Sequence, residues 1–488
     1  MIAIPVASSF ARSRLLVVAL ALGAVLIEGG VVMAVLSGRP NLLAYALALG
    51  LVVACFVWWR PAVYGLMVVV FVEGYFRIRF NDPAVLLLKD AMVVAIYLRV
   101  FGERLLRREP LVPAAPINPL LLIFLGIVFI QAVNPFVAGP GQALVGLRRW
   151  VLYIPLYYVA LEMLRTERDV RRFLWFLMAC AVPICALAVF QYYAGPAAYA
   201  AQGPAFPSAT FVTLVGDVWV FRPNATFSWP SHFGEFLVII PLMAGALLMG
   251  TRGLQRFVVV LLLAGLLAVI ILESERALYV STIWNFALLF AIRRQFWALP
   301  LAGIVLLGVL TIVDQVTGSI GTERIRELAE NRNNVIQERR HGTFLYWLEA
   351  IRASPVGLGV GATAIGVRHV ESTIPLFIEV PLAKVLADLS LLGLIVYVAL
   401  GLVLWFQTWR AHERAHRAGA HELAGLLAGM LVFQVQTAMN GYELAVNGVC
   451  QWFLYGAATV LANEAARLPT TAPAGVDGAP RTTQGVPQ

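Results

Sequence analysis

A chain of 488 residues that is 60% hydrophobic and only 13% charged falls well short of the roughly 25% charged residues of a soluble domain. The deficit excludes an ordinary globular enzyme and predicts a polytopic membrane protein. The net charge of +9 is almost wholly arginine, since Lys89 and Lys384 are the only lysines; with no basic stripe interleaved with aromatics, the balance excludes nucleic acid and suits loop orientation and anionic lipid ligands.

Apolar runs long enough to cross about 30 Å of hydrocarbon lie near residues 15–36, 42–59, 62–80, 84–101, 118–136, 148–164 and 173–194, then near 233–250, 255–272, 277–293, 297–313, 381–408, 423–440 and 446–463. They predict an all-α fold, a transmembrane helix bundle of fourteen spans, or twelve to thirteen if the shortest runs fail. The first run is followed at once by more, so it does not read as a cleaved leader. The four cysteines (Cys55, Cys180, Cys185, Cys450) all sit in apolar runs, which excludes a disulfide framework or a cysteine metal site.

Arginines cluster in every second connection: Arg12/Arg14, Arg60, Arg99 to Arg108, Arg165 to Arg172, Arg252/Arg256, Arg293/Arg294 and Arg410 to Arg417. This alternation predicts a cytoplasmic location for those connections and for both termini. The expected organisation is N-terminal membrane helices over 1–194, an external loop over 195–232, further helices over 233–313, a large external loop over 314–380, C-terminal helices over 381–465 and a disordered cytoplasmic tail over 466–488. The second loop, 67 residues long, exceeds what a passive connector needs and predicts a lid or catalytic element. Within it, ERRHGTFLYWLEAIRA places Phe344, Trp347, Leu348 and Ile351 on one helical face. The following PVGLGVGA ends that helix with glycines.

Arg77, Arg79, Arg148, Arg149, Arg222, Arg276, Arg340, Arg352 and Arg368 fall on the side opposite the arginine-rich connections. Guanidinium groups bind phosphate bidentately and do not lose their charge, so several converging at one membrane face would suit a lipid pyrophosphate. The plainer alternative is snorkelling, or pairing with local acids such as Glu273 or Asp82. Arg222 and Arg276, each beside a polar turn that opens a span, are the strongest candidates for function.

Among histidines, His412, His416 and His421 read as part of a solvated, arginine-rich loop. His232, His341 and His369 are external; their spacing has no metal-ligand signature, and general acid or base work suits them better. Of the acids bordering spans, Lys89 with Asp90 and Lys384 with Asp388 read as mutually neutralising neighbours, and Glu28 and Glu73 as partners of arginines. Glu379, in the apolar setting PLFIEVPLA just before Pro381, reads either as a base raised in pKa by desolvation or as a first-turn acid favoured by the helix dipole.

GLRRWVLYIPLYYVALEML, RPNATFSWPSHFGEFL, ESERALYVS, RHGTFLYWLEAIRASPVGLGVGA and the stretch ending DLSLLGLIVYV occur in this order. Each motif is weak alone, but their order and the large loop before a late span resemble the O-antigen ligase and O-antigen polymerase superfamily over most of residues 140–405. The resemblance implies a multi-pass inner-membrane glycosyltransferase that moves a glycan from undecaprenyl pyrophosphate to an acceptor hydroxyl at the periplasmic face, with no cofactor and no metal. It implies as partners the undecaprenyl-pyrophosphate-linked glycan, an acceptor glycan or lipid, membrane lipids and a chain-length regulator.

Carried over by position, Arg222, Arg276 and Arg340 would bind the pyrophosphate and stabilise its departure. Arg148, Arg149, His232, His341 and Trp347 would line the substrate, and Gly357, Gly359 and Gly361 would form the glycine exit. Many ligases carry a His-Asn pair at the head of the late span, where this chain has Glu379 and Val380. The missing histidine leaves Glu379, or His369 from ten residues upstream, as the base that activates the acceptor. It also shifts the expectation from a lipid A-core ligase toward a polymerase of O-antigen or exopolysaccharide repeat units. A transporter of lipid-linked glycan is the rival of a different class; it should show a repeated half, and no repeat is evident.

Overall fold

The computed structural model describes residues 40–80, 83–215, 217–330, 352, 355–364, 381–440 and 445–469. Over these the chain is a helical bundle. In chain order its helices are α1 (Pro40–Val57), α2 (Trp59–Phe80), α3 (Pro83–Leu106), α4 (Asn118–Ala132), α5 (Pro140–Val151), α6 (Leu156–Met163) and α7 (Glu167–Ala200). After a hairpin come α8 (Pro230–Leu248), α9 (Gly253–Glu273), α10 (Arg276–Ile292), α11 (Ala298–Thr317), α12 (Ile320–Glu330), α13 (Pro381–Arg417), α14 (His421–Asn440) and α15 (Ala445–Ala466). Every expected apolar run is helical over most of its length except 15–36, which lies outside the described residues.

Among the described residues, seven helical segments are long and apolar enough to cross a membrane, one of them the α5–α6 pair Pro140–Met163, and Ala48–Val57, Asn118–Ala132 and Arg276–Ile292 are shorter apolar helices. The run at 148–164 is not one straight span: it begins at Pro140, and the turn after Val151 divides it into α5 and α6. Proline at the first helical position explains several starts, as in α5 and α8, because its missing N–H would have no helical partner there. Helix α7 starts instead on a reciprocal capping box between Thr166 and Asp169.

One continuous apolar core runs through the bundle. It joins α2 and α8 through Phe71 and Phe236, 5.1 Å apart edge to face, and α7 and α15 through Phe173 and Phe453. Helices α13, α14, α15 and α8 pack in the middle, with α2 paired to α3 and α9 to α8.

Two departures from the expected layout matter for function. The connection over 195–232 is not a plain loop: α7 continues to Ala200 across a break at Gly195, and β1 (Phe211–Val215) pairs antiparallel with β2 (Val218–Arg222), Phe211 opposite Arg222. The late span is a broken helix, because Ser390 inside α13 has φ 73° and ψ 176°. Its cause is visible: the Leu358 N–H takes the Ala387 carbonyl at 2.7 Å, an acceptor that the next turn of an α-helix would have used.

Candidate functional site

The segment from Arg222 to Ser228 is a bolted turn. Asn224, fully buried, donates to the Ala209 carbonyl at 2.8 Å, and Ala225 exchanges two bonds with Gln191 of α7, 2.9 and 2.8 Å. Against α2, the Tyr75 N–H donates to the Thr226 carbonyl at 2.6 Å. Gly74 permits this approach, since a Cβ there would lie 2.2 Å from the Ser228 nitrogen. The Asn-Ala-Thr-Phe stretch is therefore scaffold, and its effect is to hold Arg222 on one side and His232 on the other. His232 Nδ1 sits 3.2 Å from Ser228 Oγ.

Arg222 points at the turn between α9 and α10. It donates to Glu273 through Nε (3.1 Å) and Nη2, and to Glu275 at 3.0 Å. Burial works against the arginine's charge, but the two carboxylates outweigh it and hold its pKa above the ordinary range. Glu273 is fully buried; Ser274 takes the left-handed conformation (φ 61°) that folds the Glu275 N–H back onto Glu273 at 3.0 Å. The next residue, Arg276, donates to Glu327 of α12 at 2.7 Å, and Arg324 ties the same carboxylate to Thr213 of β1. Four consecutive residues, Glu273 to Arg276, thus join the hairpin, α12 and the head of α8, where a Cβ on Gly234 would touch Glu275 at 2.9 Å.

A second group surrounds Asp388, which is fully buried under the glycine turn. Its carboxylate accepts from Trp150 Nε1 (3.0 Å), the Thr363 N–H (3.0 Å) and the Gly361 N–H (3.4 Å), with Arg149 at 3.8 Å. Arg149 also donates to Thr363 Oγ1 at 3.0 Å and lies over the Trp150 ring, 5.2 Å from its centroid. Gly357, Gly359 and Gly361 have φ of +88°, +87° and +86°. Side chains there would also strike Gln131, Val137 and Gln142, so glycine is required on both conformational and steric grounds.

Arg148, next to Arg149, pairs with Asp90, which also accepts from Tyr153 Oη at 3.0 Å; Lys89 pairs instead with Glu73 of α2 at 2.6 Å. This corrects two sequence expectations. Lys89 and Asp90 are not simply a self-contained pair, because adjacent residues on a helix point in different directions; each also bonds a side chain on another helix, Glu73 for Lys89 and Arg148 for Asp90. Glu73 partners a lysine rather than an arginine. Asp388 is likewise engaged by α5 and the glycine turn.

Glu235 joins the two groups. One turn into α8, it feels the charges of both Glu275 and Lys384, and its Oε2 is hidden from solvent with no hydrogen-bond partner among the described residues. Arg276, Glu275, Glu235, Lys384, Asp388 and Arg149 therefore form a band of charge across one end of the bundle. Glu235 and Glu327 are not among the residues the sequence singles out; for Glu235 the available signal is its register, three residues after His232 in the motif that carries Arg222. Glu379, His369, Arg340, His341 and Trp347 lie outside the described residues. Among the described residues, no group of three His, Cys, Asp or Glu is placed to hold a metal.

At the opposite end the expected solvated loop is helix. Helix α13 continues to Arg417, and His412 is 1% exposed. The arginine-rich connections gather here: Arg171 reaches both Glu422 and the Gly250 carbonyl, and Arg294 lies 3.6 Å from Glu413.

Fold and site together define a helical bundle with spans suited to a membrane and a band of charged residues, several of them buried, across one end. No family model matches the chain, and no curated protein matches it.

Proposed function

We propose that this protein is an inner-membrane glycosyltransferase acting on undecaprenyl-pyrophosphate-linked oligosaccharide at the periplasmic face, and most specifically a polymerase of O-antigen or exopolysaccharide repeat units. The observation that carries the reading is that Arg222 of β2 and Arg276 of α10, 54 positions apart in the chain, meet at one turn, Arg222 bonded to its Glu273 and Glu275 and Arg276 following it, with the carboxylate of Glu235, which has an unpartnered oxygen among the described residues, close enough to feel Glu275. The order of sequence motifs supports it independently.

In the proposed reaction the acceptor hydroxyl oxygen attacks the anomeric carbon of the donor glycan. The bond from that carbon to the pyrophosphate oxygen breaks, its electron pair leaves with the pyrophosphate, and the hydroxyl proton passes to a base, Glu379 or His369. Guanidinium groups held in place before the reaction stabilise the charge that develops on the leaving oxygen. Arg222 and Arg276 are 22% and 38% exposed, so each keeps part of its fork open while carboxylates fix its position. Arg149, Arg148 and His232 lie at the same end as candidate contacts to the sugars.

Transfer of glycan to lipid A-core or another acceptor would use the same site, and glycans from a deletion strain separate the two: single-repeat products mark a polymerase, unattached polymer a ligase. The break of α13 at Ser390 beside buried Asp388 is the feature a lipid-linked glycan transporter would share. A deletion strain that accumulates lipid-linked repeat units on the cytoplasmic face would select that reading. The direct test of transfer is Arg276→Ala together with Arg222→Ala: both should abolish long-chain polysaccharide while inserting normally, and unaltered chain length in both would end the proposal.

A further inference from the structure

The last turns of α13 carry Trp405, Trp409, His412 and His416 along one face, at the spacing that stacks side chains on a helix. Their rings form a ladder. Trp405 and Trp409 are 5.4 Å apart and 15° from parallel, Trp409 and His412 are 6.0 Å apart, and His412 and His416 are 6.1 Å apart and 10° from parallel. His421, at the start of α14, continues the ladder at 6.5 Å. His421 is exposed, His416 half-buried and His412 almost fully buried, so the ladder runs from solvent into the interior.

Its inner end is short of acceptors. Both ring nitrogens of His412 and Nδ1 of His416 are hidden from solvent with no hydrogen-bond partner among the described residues. Arg293, the residue that caps α10, is 6% exposed, and its Nε and Nη1 are also buried without a partner. Arg293 and His416 both act electrostatically on His412, with Arg294 further out. The acid on this face, Glu413, is already held by Arg294 at 3.6 Å and Arg417 at 3.7 Å. Buried polar groups are ordinarily satisfied, and a buried guanidinium beside imidazoles lacks the partner it needs most, an anion with several acceptor oxygens.

We propose that Arg293, His412 and His416 form a binding site for a phosphate group at the arginine-rich end of the bundle, remote from the charge band to which transfer is assigned. Guanidinium and imidazole N–H groups together match a tetrahedral oxyanion, which offers more acceptor oxygens than a carboxylate and, unlike a halide, holds them in fixed directions. The phosphate can come from the headgroup of an anionic phospholipid or from a free phosphate ion. Helix α14 packs on both α10 and α13, and Arg294 after α10 reaches Glu413 of α13 at 3.6 Å, so occupancy would tie together the ends of α10 and α13, whose other ends carry Arg276, Lys384 and Asp388. The site does not depend on the glycosyl-transfer reading.

The test uses the full chain purified in a nonionic detergent, with thermal stability followed in two arms. One arm titrates inorganic phosphate at constant ionic strength; the other titrates phosphatidylglycerol mixed micelles against diacylglycerol micelles. The wild type should show a saturable rise in Tm in at least one arm: phosphate alone points to a soluble ligand, phosphatidylglycerol alone to a headgroup. Arg293→Met should weaken the midpoint about 10- to 100-fold, as expected when charge-assisted hydrogen bonds are lost, and His412→Gln should do the same if the first variant does not fold. A wild type unmoved by either probe, or variants that respond as the wild type does, would overturn the proposal.

Discussion

Arg222 is assigned to binding a pyrophosphate, yet it also neutralises a fully buried acid, and a single substitution would confound the two roles. Arg222→Ala strips Glu273 of its guanidinium partner and leaves, among the bonds described here, the Glu275 N–H at 3.0 Å. Removing one member of a buried ion pair costs about 3–5 kcal/mol. Because Arg222 is 22% exposed, the lower figure, about 3 kcal/mol, is the expected loss. Adding Glu273→Gln removes the stranded charge, so the double variant should recover about 2 kcal/mol of that, short only of a hydrogen bond or two. The measurement is Tm of detergent-solubilised protein beside the length distribution of polysaccharide made by the same variants in cells. The single variant should be unstable and inactive; the double variant should be nearly stable and still inactive. A double variant that regains both properties would show Arg222 to be purely structural. A single variant with unchanged Tm would refute the account of the ion pair itself.

Gly146→Ala should lower stability, because the added Cβ would meet the backbone of Val360 and Gly361 at 2.5 to 2.6 Å, whereas Gly126→Ala, with nothing within 4 Å, should hold or gain stability, by up to about 1 kcal/mol from helix propensity; equal Tm values would refute the close packing of α5 on the glycine turn. Asp388→Asn turns an acceptor that serves Trp150, Gly361 and Thr363 into a group that also donates, so it should cost about 3 kcal/mol or more; the glycine turn should become an early site of limited proteolysis, and wild-type resistance would count against its role. For the base, Glu379→Gln should impair transfer more than His369→Ala, measured as polymer formed per unit of inserted protein, and the reverse order would reassign the proton to the histidine.

Much of the helical layout was legible in the sequence because hydrocarbon imposes a length and an apolar composition on any segment that crosses it. From runs and breaks alone come the positions of α1 to α4 and α7 to α15 apart from α12, and the alternation of arginine-rich connections. The breaks inside helices were not legible. Ser390 interrupts α13 because Leu358, thirty-two positions earlier, takes a carbonyl from it, and no local pattern at Ser390 records that.

Charge pairing divides in the same way. The sequence by itself determined that acids and arginines stand at the mouths of spans, where a lone charge is costly and a partner is needed. It could not determine which partner, because helix neighbours at i and i+4 compete with residues from other helices. Tertiary structure decided that Lys89 joins Glu73, that Asp90 joins Arg148, and that Asp388 serves the glycine turn. It also decided that His412, in a stretch whose composition reads as loop, is buried in a helix, its ring stacked on His416. Composition sets the cost of burying each group, but only packing of distant segments decides which groups are buried and what they meet.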